Sequence, residues 1–257
     1  SLAIKQGASI SYSHKLSINL KAVDKFLLSD FKEINLNSFQ VIFMRQDPPF
    51  DMDYIYNTYI LDMAEQEGVL IVNRPSSLRN CNEKVFTTQF PQCCTPYLVA
   101  SEERLLKDFI YLYKDIVAKP LDGMGGSSVY KIRHDDLNVS VILEDLTKNF
   151  KRKIMLQVFI PEITDGDKRI ILINGRPMNS AIARIPSEGE FRGNLASGGV
   201  AIAKSLTDRD KWICDEIGPI LKDLGLIFVG IDIIGDYLTE INVTSPTCIQ
   251  EYKNLCD

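Results

Sequence analysis

Three polar residues near the end of the chain interrupt two apolar segments. Asp232 lies within residues 226–234, which otherwise contain only apolar residues and glycine. Burying an ionised carboxylate costs several kcal/mol unless a partner neutralises it, and no Lys or Arg is close to Asp232 in sequence. Glu240 and Asn242 are two residues apart on the next predicted strand, so they share a face. Oxygen donors of this kind suit a hard cation such as Mg²⁺.

The register between these two strands decides whether Asp232 meets Glu240. A two-residue turn at Gly235 and Asp236 would pair Asp232 with Thr239 and place Glu240 on the opposite face. A turn of three or five residues pairs Asp232 with Glu240, and we expect such an odd-length turn. Facing carboxylates repel unless a cation lies between them, so this pairing favours a metal site. The alternative is that Asp232 is exposed at a strand end and Glu240 is an ordinary surface residue.

A glycine-rich segment, residues 122–128, lies between predicted strands at 115–119 and 129–132. Its glycines would let backbone N–H groups approach phosphate oxygens closely, and its serines add further donors. The segment is not a Walker A motif, because no Gly-Lys-Ser or Gly-Lys-Thr follows it. It is not a Rossmann fingerprint either, because no helix follows. A simple turn between strands is the alternative interpretation.

Basic residues occur where a phosphate site could use them. Lys119 ends the strand before the glycine-rich segment, and Lys84 is a second candidate, although each could be a solvated surface lysine. Arg169 opens a predicted buried strand and Arg184 lies within another. Arginine binds phosphate or carboxylate through two parallel hydrogen bonds. Arg192 lies in a long polar segment, residues 186–199, of the kind that forms a mobile lid.

Apolar spacing predicts the elements that position these residues. Residues 39–44 and 69–72 are predicted to be buried strands, and residues 53–66 have helical spacing. Strand, helix and strand in this order predict a parallel βαβ unit. A second helix begins after Thr207 and ends at Gly225. Further strands are predicted at residues 154–160, 169–173, 178–185, 226–234 and 238–243.

Composition excludes several classes of protein. The 257-residue chain has a net charge of −5 and no basic stripe of the kind that nucleic-acid-binding proteins carry. It has no apolar run of membrane-spanning length and no signal segment. The six cysteines lack disulfide-framework spacing, and with two histidines and no Cys-x-x-Cys we expect no zinc site. The chain is therefore predicted to be a soluble, cytoplasmic α/β protein.

Several segments together resemble bacterial glutathione synthetases, which are ATP-grasp ligases. The resemblance covers nearly everything from about Val41 onward. The matching segments are MRQDPPFD (44–51), NRPSSLR (73–79), NEK (82–84), KPLDGMGG (119–126), DGDKR (165–169), ARIP (183–186), RGNLA (192–196), FVGIDIIG (228–235) and TEINVTSPT (239–247).

The resemblance implies an α/β (α+β) architecture in two parts. Residues 1–80 would form an N-terminal substrate domain with a parallel sheet, truncated because the family's first strand and helix precede Ser1. Residues 81–257 would form a two-lobed ATP-grasp domain whose last helix is cut short at Asp257. The resemblance also implies a homo-oligomer, often a tetramer, with small-molecule partners. From the composition we expect neither nucleic acid nor membrane as a partner.

The resemblance further implies a role for each candidate residue. The nucleotide would contact Lys84 and Lys119, the flap Gly123, Met124, Gly125, Gly126 and Ser127, the adenine linker Gln157, Val158, Phe159 and Ile160, and Asp167 near the ribose. Mg²⁺ or Mn²⁺ would be held by Asp232, Glu240 and Asn242. The catalytic arginines would be Arg169, Arg184 and Arg192, and the peptide substrate would lie near Arg45, Asp47, Asn194, Thr244 and Ser245.

The implied reaction joins γ-L-glutamyl-L-cysteine to glycine through an acyl phosphate, giving glutathione, ADP and phosphate. One alternative is an ATP-grasp ligase with a different carboxylate and amine, against which residues 45–51 argue. Another is a catalytically inactive ATP-binding module. Such a module would be expected to lack Asp232, Glu240 or Asn242, and all three are present.

Overall fold

The computed structural model describes residues 1–19, 26–123, 125–193, 195 and 198–256. The described part contains six α-helices: α1 (Met52–Gln66), α2 (Pro75–Asn80), α3 (Glu103–Tyr113), α4 (Val139–Leu146), α5 (Asp208–Asp223) and α6 (Ile249–Cys256). Its strands are β1 (Leu2–Lys5), β2 (Ala8–Ser13), β3 (Leu16–Ile18), β4 (Phe26–Leu28), β5 (Lys32–Asn35), β6 (Val41–Phe43), β7 (Leu70–Val72), β8 (Tyr97–Ala100), β9 (Asp115–Pro120), β10 (Tyr130–Arg133), β11 (Ile154–Val158), β12 (Asp167–Ile173), β13 (Arg176–Pro177), β14 (Ser180–Ile185), β15 (Val200–Ser205), β16 (Phe228–Ile234) and β17 (Tyr237–Asn242). None of the described helices has both the length and the apolar character that a bilayer crossing requires.

The predicted βαβ unit is present, with β6 and β7 paired in parallel and α1 between them. The helix begins at Met52 because the side chain of Asp51 caps it by accepting a hydrogen bond from the backbone N–H of Tyr54. The prediction that residues 39–44 form a buried strand is wrong in its burial, since Val41 is 42% and Phe43 62% exposed. Among the described strands β6 pairs only with β7, so its other edge has no neighbour.

The first forty residues contain antiparallel strands that the sequence analysis did not identify. One sheet has the order β1-β2-β5, and β3 pairs with β4. Gln6 and Gly7 form the turn between β1 and β2, both at positive φ, as a two-residue hairpin turn requires. A Gln-Gly pair between such short strands is a weak sequence signal, which is why apolar periodicity missed this hairpin.

The smaller of the two sheets that carry the candidate site has the antiparallel order β10-β9-β11-β8. Helix α3 packs against β8, β9 and β11, and α4 packs against β10. The apolar core between them includes Leu106, Ile110, Ile132, Leu143 and Leu156. The glycine-rich segment connects β9 to β10, so its predicted position between two strands is confirmed.

The larger sheet has the order β15-β14-β12-β16-β17, with β13 paired to β12. Helix α5 shares an apolar cluster with this sheet through Ile213 and Ile217. Thr207 and Asp210 form the predicted capping box at the start of α5, and Gly225 follows its end at φ +67°. The same cluster includes side chains of α1 and β7, so the βαβ unit and the larger sheet share one core.

Helix α5 meets the turn between β12 and β13 at two glycines. A side-chain carbon at Gly218 would lie 2.2 Å from the carbonyl oxygen of Gly175, and one at Gly175 would lie 2.4 Å from that of Gly218. Real contacts to a β-carbon are not this short. The two backbones therefore approach only because neither residue has a side chain.

We expect Gly218→Ala to lower the free energy of unfolding by about 1–3 kcal/mol, the usual cost of overpacking. A Gly→Ala change inside a helix otherwise stabilises it by about 1 kcal/mol, so the expected sign is reversed. Urea unfolding measures the difference, with Asp215→Ala, at an exposed position of the same helix, as the control. A stabilised Gly218→Ala protein would show that the helix and the turn can separate freely.

Candidate active site

Strands β16 and β17 form a hairpin in which Asp232 pairs with Glu240, so the predicted pairing is confirmed. The predicted odd-length turn is wrong. The turn consists of Gly235 and Asp236 alone, because the strand residues on either side pair directly. Gly235 adopts φ +55°, which a two-residue turn of this kind needs.

A β-bulge reconciles the two-residue turn with the pairing of the carboxylates. Ile233 pairs with Leu238, whereas Asp232 pairs with Glu240, so Thr239 is the extra residue between them. The hydroxyl of Thr239 donates to the carbonyl oxygen of Asp232 at 3.1 Å. The bulge shifts the register by one residue and returns Glu240 to the face of Asp232.

Asp232 is buried, and two arginines from neighbouring strands balance its charge. Arg169 lies directly opposite on β12 and donates through Nε and Nη2, the second at 2.9 Å from Asp232 Oδ2. Nη2 of Arg184, on β14, lies 3.0 Å from the same oxygen. Burial alone would raise the pKa of Asp232, but the two guanidinium groups lower it to about 2.

Glu240 has basic neighbours of its own. Its Oε1 lies 3.7 Å from Nζ of Lys84 and 4.0 Å from Nζ of Lys119. We expected that only a cation between the carboxylates of Asp232 and Glu240 could relieve their repulsion. That expectation is wrong, because each carboxylate has separate basic side chains beside it, brought there by other strands and loops.

Both lysines are buried, which excludes the alternative that they are solvated surface residues. Lys84 Nζ donates to the carbonyl oxygen of Gly123 at 2.7 Å and to Glu83 Oε1 at 2.8 Å. Burial would lower the pKa of Lys84, but the carboxylates of Glu240 and Glu83 raise it above its ordinary value. Burial lowers the pKa of Lys119, whose Nζ donates to the carbonyl oxygen of Thr239 at 3.3 Å. Lys84 thus links the carboxylate pair to the glycine-rich segment.

Asp167 is the third acid of this charged group. Its Oδ2 accepts a hydrogen bond from Nη2 of Arg184 at 2.5 Å, whereas its Oδ1 has no partner among the described residues. Burial raises the pKa of Asp167 to about 7, although Arg184 acts in the opposite direction. The orphaned oxygen belongs to a residue that lines the cavity, so a bound molecule could supply the missing partner.

One cavity of about 590 Å³ brings most of the predicted site residues together. Its walls include the described predicted residues Asp47, Lys84, Lys119, Gly123, Gly125, Gly126, Ser127, Gln157, Val158, Phe159, Ile160, Asp167, Arg169, Arg184, Arg192, Asp232, Glu240, Asn242, Thr244 and Ser245. Arg45 is not among the described residues that line it; its guanidinium lies 5.2 Å from the ring centroid of Phe228. Met124 and Asn194 lie outside the described residues.

Sequence reasoning missed several cavity residues, including Arg79, Asn82, Gly193 and Cys248. Asn82 accepts hydrogen bonds from the backbone N–H groups of Lys84 and Val85 and donates to the carbonyl oxygen of Leu121 at 2.8 Å. Arg79 and Asn82 belong to segments that carried the resemblance, which is the signal that could have found them.

The long polar segment, residues 186–199, follows β14, as predicted, and leads into β15, a strand that the sequence did not predict. A side-chain carbon at Gly193 would lie 2.5 Å from the carbonyl oxygen of Arg184 and 3.0 Å from Cβ of Asp167. Glycine therefore lets this part of the loop lie directly on the charged group. Arg192, the neighbouring residue, lines the cavity.

Two family models match the chain. The N-terminal domain of prokaryotic glutathione synthetase matches residues 1–79, and the ATP-grasp domain of prokaryotic glutathione synthetase matches residues 83–257. The chain belongs to the prokaryotic glutathione synthetase family. It is 55% identical over 226 residues to the glutathione synthetase of Pseudomonas putida, covering 88% of this chain and 71% of that protein. It is 49% identical over 256 residues to the glutathione synthetase of Shewanella oneidensis, covering 100% of this chain and 81% of that protein.

Solved structures with a similar fold include a ligase and a synthetase. The ATP-grasp ligase PsnB with its minimal precursor has a TM-score of 0.61 at 15% identity, covering 95% of this chain and 81% of that chain. D-cycloserine synthetase DcsG has a TM-score of 0.65 at 12% identity, covering 83% of this chain and 78% of that chain. At these identities the likeness establishes the fold alone. With the family match, it confirms the expected ATP-grasp architecture and an ATP-dependent carboxylate–amine ligase.

The predicted metal ligands fit a hard divalent cation in their chemistry. Asp232, Glu240 and Asn242 line the same cavity and supply carboxylate and amide oxygens. Nδ2 of Asn242 lies 3.3 Å from Asp232 Oδ2, so these two side chains are already in contact. Among the described residues no three His, Cys, Asp or Glu side chains are grouped so that they could hold a metal ion. So few protein ligands would leave positions for phosphate oxygens and water.

We expect Asp232→Asn to lower the free energy of unfolding by about 3–5 kcal/mol without any ligand, because it leaves Arg169 and Arg184 buried without their shared carboxylate. Urea unfolding in the absence of ATP and metal measures this loss. Asp236→Asn, in the turn of the same hairpin, is the control and should change stability by less than about 0.5 kcal/mol. Equal stability of the two variants would contradict the central role of this ion pair.

Proposed function

We propose that this chain joins γ-L-glutamyl-L-cysteine to glycine with ATP, giving glutathione, ADP and phosphate. The observation that carries the proposal is the cavity in which Lys84, Lys119, the glycine-rich segment and the carboxylate pair meet. It occurs in a chain about half identical to glutathione synthetases across most of its length.

The nucleotide is proposed to lie between the two sheets. Lys84 and Lys119 would bind its phosphates, since both ammonium groups are held within the cavity wall. The flap formed by Gly123, Gly125, Gly126 and Ser127, together with Met124, would cover the phosphates with backbone N–H donors. The linker Gln157, Val158, Phe159 and Ile160 would lie beside the adenine, and Oδ1 of Asp167 would accept a hydrogen bond from a ribose hydroxyl.

Asp232, Glu240 and Asn242 are proposed to hold Mg²⁺ or Mn²⁺ together with phosphate oxygens of ATP. When bound, the cation would neutralise charge on the transferring phosphoryl group. The basic residues beside the carboxylates would serve the same purpose from the protein side. Arg169 and Arg184 hold Asp232 in a fixed orientation. Their charges lower its pKa and so keep it ionised.

The reaction is proposed to proceed in two steps. First, the C-terminal carboxylate of the dipeptide attacks the γ-phosphorus of ATP. An O–P bond forms, the bond from this phosphorus to ADP breaks, and an acyl phosphate results. The amine of glycine then attacks the acyl carbon, phosphate leaves, and the amine loses a proton. Arg169, Arg184 and Arg192 would stabilise negative charge that develops on the phosphoryl oxygens. The loop over the site would keep water from the acyl phosphate.

The dipeptide is proposed to lie near Asp47, Thr244 and Ser245, which line the cavity, and near Arg45 and Asn194. A division between a substrate domain (1–80) and an ATP-grasp domain (81–257) is supported by the family matches, which end at residue 79 and begin again at residue 83. We also propose a homo-oligomer, from the family resemblance, and a cytoplasmic location, from the composition.

Phosphate release from ATP with γ-glutamylcysteine, with and without glycine, tests the ligase directly. We expect turnover that requires all three substrates and falls by about a hundred- to a thousandfold in Asp232→Ala and Glu240→Ala, the scale on which lost charge stabilisation lowers kcat. Asp236→Ala, in the turn of the same hairpin, is the matched control and should retain activity. Tight ATP binding without turnover in the unaltered protein would favour the inactive ATP-binding module instead.

Removal of divalent metal tests the proposed metal site separately. We expect EDTA to abolish turnover and added Mg²⁺ or Mn²⁺ to restore it. Asn242→Ala should raise the Mg²⁺ concentration needed for half-maximal rate by about tenfold, the effect of losing one ligand worth roughly 1.4 kcal/mol. An unchanged Mg²⁺ dependence in this variant would remove Asn242 from the ligand set.

A further inference from the structure

The loop between β14 and β15 touches the glycine-rich segment through one arginine. Nη1 of Arg192 donates to the carbonyl oxygen of Gly126 at 3.2 Å. Nη2 of Arg192 donates to Glu190 Oε2, in its own loop, at 2.5 Å. One guanidinium therefore joins the two loops that border the cavity.

Glu190 is held on both of its carboxylate oxygens. Besides the contact of Oε2 with Arg192, Oε1 accepts hydrogen bonds from the backbone N–H groups of Phe191 and Arg192 at 2.9 and 3.1 Å. The backbone N–H of Glu190 donates to the carbonyl oxygen of Ser187 at 3.0 Å. The hydrogen bond from Arg192 lowers the pKa of Glu190 to about 2, so this carboxylate is ionised at neutral pH.

We propose that Glu190 is a positioning residue for the ligase reaction, which holds the guanidinium of Arg192 against Gly126 so that residues 187–192 and 125–128 close over the cavity as one unit. Arg192 lines the cavity, whereas Glu190 is not among the described residues that do. Glu190 therefore acts through Arg192. The inference rests on the proposed function, in which Arg192 stabilises charge on the phosphoryl group.

The contact leaves Arg192 able to act on a substrate. A guanidinium has five N–H donors, and the carboxylate and the carbonyl oxygen engage only part of them. A side chain already fixed in orientation loses less rotamer freedom when it binds a phosphoryl oxygen. The same contact ties down the loop that excludes water, so its loss should also expose the acyl phosphate to hydrolysis.

Glu188 offers a matched control for Glu190. It lies two residues earlier in the same loop and carries the same charge. Its side chain makes no hydrogen bond or ion pair with another described residue. Glu190→Gln and Glu188→Gln therefore change the net charge and the loop composition in the same way. Only Glu190→Gln alters the contact with Arg192.

Trypsin cleavage after Arg192 reports the closure of the loop without any turnover. We expect Glu190→Gln to speed cleavage of the Arg192–Gly193 bond about tenfold, because a charge-assisted hydrogen bond that holds the loop closed is lost. Glu188→Gln should be cleaved at the rate of the unaltered protein. Equal cleavage of the two variants would overturn the proposal, whatever the outcome of the ligase assay.

Steady-state kinetics show whether Glu190 acts through Arg192. We expect Glu190→Gln to lower kcat about tenfold with little change in the KM for ATP, and to release more than one phosphate per glutathione formed. In an Arg192→Met background, Glu190→Gln should change kcat by less than about twofold, because the partner is already absent. An equal loss in both backgrounds would overturn the proposal while leaving the ligase function intact.

Discussion

The site is organised around a buried carboxylate that shares two guanidinium groups. Asp232 and Arg169 lie directly opposite each other on adjacent strands, as do Asp167 and Arg184, and Arg184 also reaches Asp232. Ions inside a protein are tolerated only when each has a partner with good geometry. The strands β12, β14 and β16 must therefore keep one register relative to one another, since a one-residue slip would leave a charge buried without its partner.

The β-bulge in the β16–β17 hairpin solves a related problem of register. Two-residue turns are favoured between antiparallel strands, but this one alone would send Glu240 to the face opposite Asp232. One extra residue, Thr239, corrects the alternation and is itself held by a hydrogen bond to the Asp232 backbone. The charge pattern of the site and the geometry of a tight turn are both satisfied.

The parts of the fold that sequence predicted well are those whose signal is local. The strands at the core of the larger sheet, the capped helix after Thr207 and the glycine-rich connection appear at the expected places, whereas the strand at 41–43 is present but exposed. The length of the turn near Gly235 was mispredicted, because a bulge shifts register without any signature in residue type. The pairing of Asp232 with Arg169 and Arg184 could not be predicted from local sequence either. These arginines are 63 and 48 residues away in the chain, and only the strand order of the sheet brings them next to Asp232. The family resemblance, not periodicity, brought residues as distant as Lys84 and Glu240 into one site.

The arrangement of the apolar clusters bears on how a molecule could enter the cavity. The side chains under α3 and α4 form one cluster, whereas α1, β7, α5 and the larger sheet form another. No described residue belongs to both. A rigid-body rotation of the smaller sheet with its two helices would therefore leave the buried residues of each cluster together. It would break the contacts of Lys84 and Arg192 with the glycine-rich segment and move Tyr97 of β8, which packs against the second cluster. The enclosed volume could thus widen by hinge motion while both hydrophobic interiors stay packed.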